Sequence, residues 1–153
     1  MDTLTVSLFG HREIEEEKTL SDQLTPYIVE LLQSKKYVVF LIGRNGEFDE
    51  LAASIIKSVR KEKGEENNEL TLVLPYPVAD LEYYEKYYDH IIIPEFLRRV
   101  HPKASIVLRN RWMIEQSDLV IAYAERRKGG AYAAMKYAER KSKPTIRITA
   151  VRL

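Results

Sequence analysis

Six short runs rich in β-branched and apolar residues punctuate the chain: LTVSLFG (4–10), YVVFLIG (37–43), LTLVLPY (70–76), HIIIP (90–94), DLVIAYA (118–124) and PTIRITA (144–150). Runs of this composition read as strands. Most are nearly continuous in apolar character rather than alternating, which is the pattern of strands covered on both faces. Between them the apolar positions change to a helical period. LSDQLTPYIVELLQSK places Leu24, Ile28, Leu31 and Leu32 on one face, and DELAASIIKSVRKEK does the same with Leu51, Ile55 and Val59. Further helical stretches are LEYYEKYYDH (81–90), ASIVLRNRWMIEQS (104–117) and GGAYAAMKYAERKS (129–142). Pro26 is best tolerated at a first helical position, so the first helix is expected to start near Thr25 as its cap. Strand and helix alternate throughout, which predicts an α/β three-layer sandwich with a mostly parallel sheet. The mixed charges of RKEKGEENNE (60–69) predict a solvated helix end and loop.

Length and composition narrow the picture. A chain of 153 residues, 45% hydrophobic and 31% charged, is expected to form one domain, 1–153, with a real core. Cysteine is absent, and His11, His90 and His101 have no metal-ligand spacing, so no metal site is expected. No cofactor is assigned. No apolar run reaches the roughly 20 residues that a membrane helix needs, and the N-terminus lacks a basic segment followed by a long apolar core, so a cytoplasmic protein is expected. Lys and Arg (24) nearly balance Asp and Glu (23), a formal charge of +1. A nucleic-acid-binding surface usually shows a basic excess, so nucleic acid is expected to be an unlikely partner.

The carboxyl edge of a parallel sheet is where ligands bind, and three polar or glycine-rich turns fall there. FGHRE (9–13) follows the first strand, GRNGEFD (43–49) the second and ERRKGGAY (125–132) the fifth. Each precedes a helix whose free N–H groups suit an anion. Gly43, Gly46, Gly129 and Gly130 are expected to use positive φ to let backbone approach a ligand, although relief of turn strain explains any one of them equally well. Neither GxGxxG nor GxxxxGK[ST] is present, which excludes ordinary dinucleotide-binding and P-loop readings. Arg12 and Arg44 are candidates for phosphate or carboxylate, and Glu47 or Asp49 for sugar hydroxyls. The competing role for the two arginines is an exposed loop charge, and for Asp49 it is capping of a helix beginning at about Glu50.

These stretches, with RNRWMIEQSDLVIAY running into the fifth strand and KGGAYAAMKYA after it, resemble the YpsA-like branch of the SLOG superfamily, named for the SMF/DprA and LOG proteins. The resemblance covers nearly the whole chain in order. It implies a Rossmann-like fold and a nucleotide or nucleotide-derived small-molecule ligand. The pocket it implies contains Gly10, His11 and Arg12 from the first turn and Gly43, Arg44, Gly46, Glu47 and Asp49 from the second. Arg109, Asn110 and Arg111 join from the helix before the fifth strand, and Gly129 and Gly130 from the turn after it. The LOG phosphoribohydrolases of this superfamily carry PGGxGT and a nearby catalytic glutamate, whereas this chain has KGGAYAAMKYAE, with Glu139 too far along the helix. Many members of the YpsA-like branch have glycine where this chain has Arg44.

Two functions follow as expectations. The first is a ligand-binding or sensing module that breaks no bond. The second is an N-glycosidic hydrolase or transferase in which Glu47 or Asp49 is the catalytic carboxylate, Glu13 being the other acid in these loops. His11 is a possible general acid, though a lone loop histidine more often serves as a hydrogen-bonding or capping residue. A DNA-processing role, by analogy with the DprA side, ranks third on the charge balance. Tyr83, Tyr84, Tyr87, Tyr88 and Trp112 are assigned chiefly to core or interface packing, and a homo-oligomer is expected. Arg109 and Arg111 are expected on different sides of one helix. RRVHPK (98–103) and ERRK (125–128) are solvated basic clusters or an anion-gathering rim.

Overall fold

The computed structural model describes residues 2–44, 46–64 and 66–150. Among them, β1 (Thr3–Gly10), α1 (Glu17–Gln33), β2 (Tyr37–Ile42), α2 (Glu47–Lys63), β3 (Asn68–Val73), α3 (Leu81–Tyr87), β4 (His90–Ile92), a 3-10 helix (Glu95–Arg99), α4 (Pro102–Gln116), β5 (Leu119–Tyr123), α5 (Gly130–Arg140) and β6 (Thr145–Ile148) follow one another. The strands form one sheet in the order β4-β3-β2-β1-β5-β6. Every pairing in it is parallel, from Val6 opposite Phe40 on one side of β1 to Val6 opposite Leu119 on the other.

The continuous apolar runs are explained by two covered faces. Val6, Leu8, Phe40, Ile42, Leu70 and Leu72 pack with Leu20, Leu24, Ile28, Ile55 and Ile56 of α1 and α2. On the opposite face Phe9, Leu41, Val73 and Val120 pack with Met113, Ile114, Ala134 and Ala138 of α4 and α5, and Trp112 packs against this second cluster. Ser7 faces the same way. Its buried hydroxyl lies 2.6 Å from Ser117 Oγ and donates to the Met113 carbonyl at 3.2 Å, so the buried polar position of the central strand is satisfied. Tyr84, Tyr87 and Tyr88 pack against the first cluster, while Tyr83 is exposed.

Two helix starts differ from the pattern reading. Helix α1 begins at Glu17 and carries Pro26 in its interior. An interior proline costs about 3 kcal/mol. Thr19, Leu20 and Leu24, all N-terminal to Pro26, are buried, and each buried leucine contributes about 1.5–3 kcal/mol, enough to carry the helix across it. Helix α2 begins at Glu47 with Gly46 as its N-cap, so Asp49 sits inside the first turn and is no cap. Residues 60–63 of the charged stretch form the expected end of α2, but Arg60 is buried rather than solvated, with Nη2 2.8 Å from Asp89 Oδ2. Among the described residues no helix is long and apolar enough to cross a membrane.

Candidate functional site

From β1 the chain proceeds outward through β2, β3 and β4, then returns to place β5 on the other side of β1. The order therefore reverses between β1 and β5, and at such a switch point the connecting loops part to leave a crevice at the carboxyl edge. The loops that border it are tied together. The His11 ring is buried and stands edge-on to Tyr123, with centroids 5.0 Å apart, and its Nε2 accepts the Arg126 backbone N–H at 3.2 Å. Arg126 Nη2 in turn donates to the Glu13 carbonyl at 3.0 Å. Burial, then the Arg126 charge, lowers the His11 pKa from its usual value. A neutral, acceptor-bound ring fits the hydrogen-bonding role rather than that of a general acid.

The crevice opens into a cavity of about 680 Å³. Its walls come from the ends of β1, β2, β3 and β5 and the first turns of α2 and α5, with Ile106, Arg109 and Asn110 entering from α4. Cations dominate: Arg12, Arg44, Arg109, Arg126 and Lys128 line it against the acids Glu13 and Asp49. Arg44 is steadied by Tyr84, whose hydroxyl accepts from Nη1 at 3.2 Å. The one aromatic residue with a hydroxyl on the wall is Tyr76, just after β3.

At the floor, Arg109 is buried yet charged. Its Nη1 donates to the Val73 carbonyl at 2.9 Å and its Nε to Asn110 Oδ1 at 2.8 Å. Burial lowers its pKa, and the Asp49 carboxylate works against that shift. Burial likewise pushes the Asp49 carboxyl up to about 7, with Arg109 and Arg12 opposing the rise and Glu50 adding to it. Asp49 thus titrates near neutrality, and its charge sets how much of the arginines' positive potential reaches the cavity.

The sign of the stability effect follows. The folded-state value lies above the unfolded 3.8, so the contribution is fully present below about 4 and is lost as pH rises through about 7. Asp49 is only partly buried on the cavity wall, which reduces the full linkage value. Asp49→Asn is therefore expected to stabilise the protein on the order of 2 kcal/mol at pH 8, with the gain shrinking toward pH 5. Thermal melts of both proteins across that range check this, and a gain independent of pH would contradict it.

Gly10, His11, Arg12, Gly43, Arg44, Gly46, Asp49, Arg109, Asn110, Gly129 and Gly130 all line this one cavity. Glu47 and Arg111 do not. Glu47 accepts the Ile14 backbone N–H at 3.1 Å and borders a separate shallow depression with Glu17 and Glu50. Arg111 lies on the exposed side of α4 with its guanidinium 5.0 Å from the centre of the Tyr137 ring. The glycines also act differently from expectation. Gly46 has φ −133°, and of the four turn glycines only Gly129, at φ 89°, occupies the left-handed region. Gly43 and Gly46 supply space instead: a Cβ on Gly43 would lie 3.1 Å from Arg109 Nη1, and one on Gly46 3.4 Å from the Arg12 Cα. Asn45, in the same turn, lies outside the described residues. Tyr76 and Ile106 were not anticipated, and Arg126 and Lys128 had been placed only in the ERRK cluster, read as solvated or as an anion-gathering rim. Extending the carboxyl-edge rule to the third strand would have found Tyr76, since LTLVLPY ends on that edge.

No protein-family model and no curated protein sequence matches the chain. Among solved structures, the chain is similar to DNA processing protein A from Helicobacter pylori, a structure described for that protein's unique single-stranded DNA binding mode. The match has a TM-score of 0.65 at 18% identity and covers 94% of this chain. The chain spans 64% of the length of that protein. At this identity the likeness establishes a Rossmann-like fold.

The match corrects two expectations. A small-nucleotide sensor or N-glycosidase had been expected, with nucleic acid as an unlikely partner, yet a protein of this fold is described as binding single-stranded DNA. The charge argument failed because a total averages over the whole surface. A formal charge of +1 coexists here with five cations and two acids around one cavity.

Proposed function

We propose that this chain binds single-stranded nucleic acid at the carboxyl-edge cavity. The observation that carries the proposal is the ring of Arg12, Arg44, Arg109, Arg126 and Lys128 around a recess that also contains Tyr76. Cations tracking a phosphate backbone, combined with an aromatic ring on which a base stacks, are the two elements of single-strand recognition. A single strand is favoured over a duplex because the recess is concave. The bases of a duplex are paired inside its helix and do not reach Tyr76, whereas an unpaired base does. Within this reading, the FGHRE, GRNGEFDELAA and KGGAYAAMKYA stretches support placement in the YpsA-like branch, with residues 1–153 as one domain acting in the cytoplasm.

The test is fluorescence anisotropy with labelled oligothymidylate and with a duplex of the same length, at several salt concentrations. The single strand is expected to bind more tightly than the duplex. Tyr76→Ala is expected to cost about 1–3 kcal/mol of binding free energy. Replacing Arg126 and Lys128 with alanine is expected to flatten the dependence of log K on log salt by about 1.4, at about 0.7 per phosphate contact. Equal affinity for duplex and single strand, or binding insensitive to Tyr76→Ala, would count against the proposal.

A further inference from the structure

The near-neutral chain is strongly polarised. Residues 125–143 hold seven Lys and Arg against two acids, an excess of five, where the whole chain has an excess of one. This segment starts at the cavity, which Arg126, Lys128, Gly129 and Gly130 line, and continues outward as α5. Helix α5 buries Ala131, Ala134, Met135 and Ala138 against the sheet. On its outer face Arg140 is exposed, and the half-buried Tyr132, Lys136 and Tyr137 flank the buried stripe, each tyrosine packing one side against the core.

On that face the cations converge on aromatic rings. Lys136 Nζ stands 5.5 Å from the centre of Tyr132. Around Tyr137 lie the Arg111 guanidinium at 5.0 Å, the Arg140 guanidinium at 5.7 Å and Lys141 Nζ at 5.5 Å. The nearby acids are otherwise engaged, since Glu139 pairs with Lys136 and Glu115 accepts the Tyr137 hydroxyl. Arg111, Arg140 and Lys141 form no ion pair among the described residues. The Glu115 carboxylate at the Tyr137 hydroxyl offsets only one of these three charges, and the remaining repulsion is relieved when a further anion lies among them. Asn110 of α4 and Gly130 at the start of α5 line the cavity, and Arg111, Arg140 and Lys141 lie on the same two helices, so both helices lead from the cavity to the patch.

We propose that the outer surface of α4 and α5 is the track along which a single strand leaves the cavity, with phosphates on Arg111, Arg140 and Lys141 and bases against Tyr132 and Tyr137. The inference rests on the cavity binding single-stranded nucleic acid and adds a direction and a length to it. Helix α5 has 11 residues, so the track extends the site by about 16 Å. A strand that fills only the cavity does not reach it.

The experiment compares labelled oligothymidylates of about 4 and about 16 nucleotides, the span of single-strand site sizes. Each is titrated onto the wild-type protein, onto the triple variant Arg111→Ala, Arg140→Ala, Lys141→Ala, and onto Tyr137→Leu. All three cations are exposed, and circular dichroism confirms folding. The wild type is expected to bind the longer strand more tightly. The triple variant is expected to bind the short strand as the wild type does but to lose the gain with length, and its salt slope on the long strand is expected to fall by about 2, at about 0.7 per contact. Tyr137→Leu is expected to lose part of the same gain. A triple variant that keeps both the gain and the slope would overturn the track. Wild-type protein that binds both lengths equally would overturn it too, while leaving the cavity proposal standing. If the wild type binds neither strand, the cavity proposal fails and takes the track with it.

Discussion

Gly10→Ala is expected to destabilise the protein by about 3 kcal/mol or more, because a methyl group has no room at the end of β1. A Cβ at this position would stand 2.5 Å from the Cβ of Phe48 and closer still to its ring. Phe48 is fully buried at the start of α2 and cannot swing into solvent. The strain passes instead to the helix terminus, which carries Gly46 and Asp49 on the cavity wall. Stability and site geometry are therefore expected to suffer together. For a chain of this size the melting temperature should fall by about 6–12 °C. A double-mutant cycle isolates the cause: in a Phe48→Leu background, Gly10→Ala should cost clearly less than in the wild type. Equal costs in the two backgrounds would mean that the clash is not the source.

The second large effect is expected at Arg109. Arg109→Met keeps the unbranched stem but removes the guanidinium, and with it the donor to the Val73 carbonyl and the cation that opposes the rise of the Asp49 pKa. Removing one member of a buried polar arrangement leaves the other uncompensated, at a cost of about 3 kcal/mol. The loss is expected to be larger at pH 8 than at pH 6, since only the ionised Asp49 misses the guanidinium. Adding Asp49→Asn to this variant should recover part of the stability at pH 8 and little at pH 6. Melting curves of the single and double variants at both pH values decide it. A loss of the same size at both, unaffected by Asp49→Asn, would show that the carbonyl alone accounts for the cost.

The sheet was legible because strands such as YVVFLI and LVIAY are apolar at consecutive positions, a pattern that requires cover on both faces. From that, the carboxyl-edge rule brought together turns that are far apart in sequence. Helix boundaries were less legible, since a local rule about Pro26 competed with burial of Leu20 and Leu24, and the long-range term prevailed. The same uncertainty blurred the acids of the second turn. Residues two apart on a helix point about 200° apart, so once α2 is known to start at Glu47, only one of Glu47 and Asp49 can face the cavity. For Arg109 and Arg111 the helical spacing implied different sides of α4, where the structure places them, although both had been assigned to the pocket and only Arg109 lines it. Tyr76 escaped because nothing local marks it: a tyrosine is not unusual in a loop, and only the sheet order makes it a neighbour of Arg109.

The position of β1 has a consequence for how the chain is made. Its two partners, β2 and β5, join at very different distances along the polypeptide: Val6 pairs with Phe40 on one flank and with Leu119 on the other. During synthesis the strand that ends up in the middle of the sheet is thus a free edge for most of the chain's emergence. Ser7 has no hydroxyl partner in Ser117, and Thr5 no acceptor for its amide in Asp118, until both have left the ribosome. An apolar edge of this kind readily pairs with another chain, and non-local parallel pairings are slow to form. The nascent protein therefore leaves that edge open, even with α1 and α2 folded over one face, until the fifth strand arrives to close the sheet.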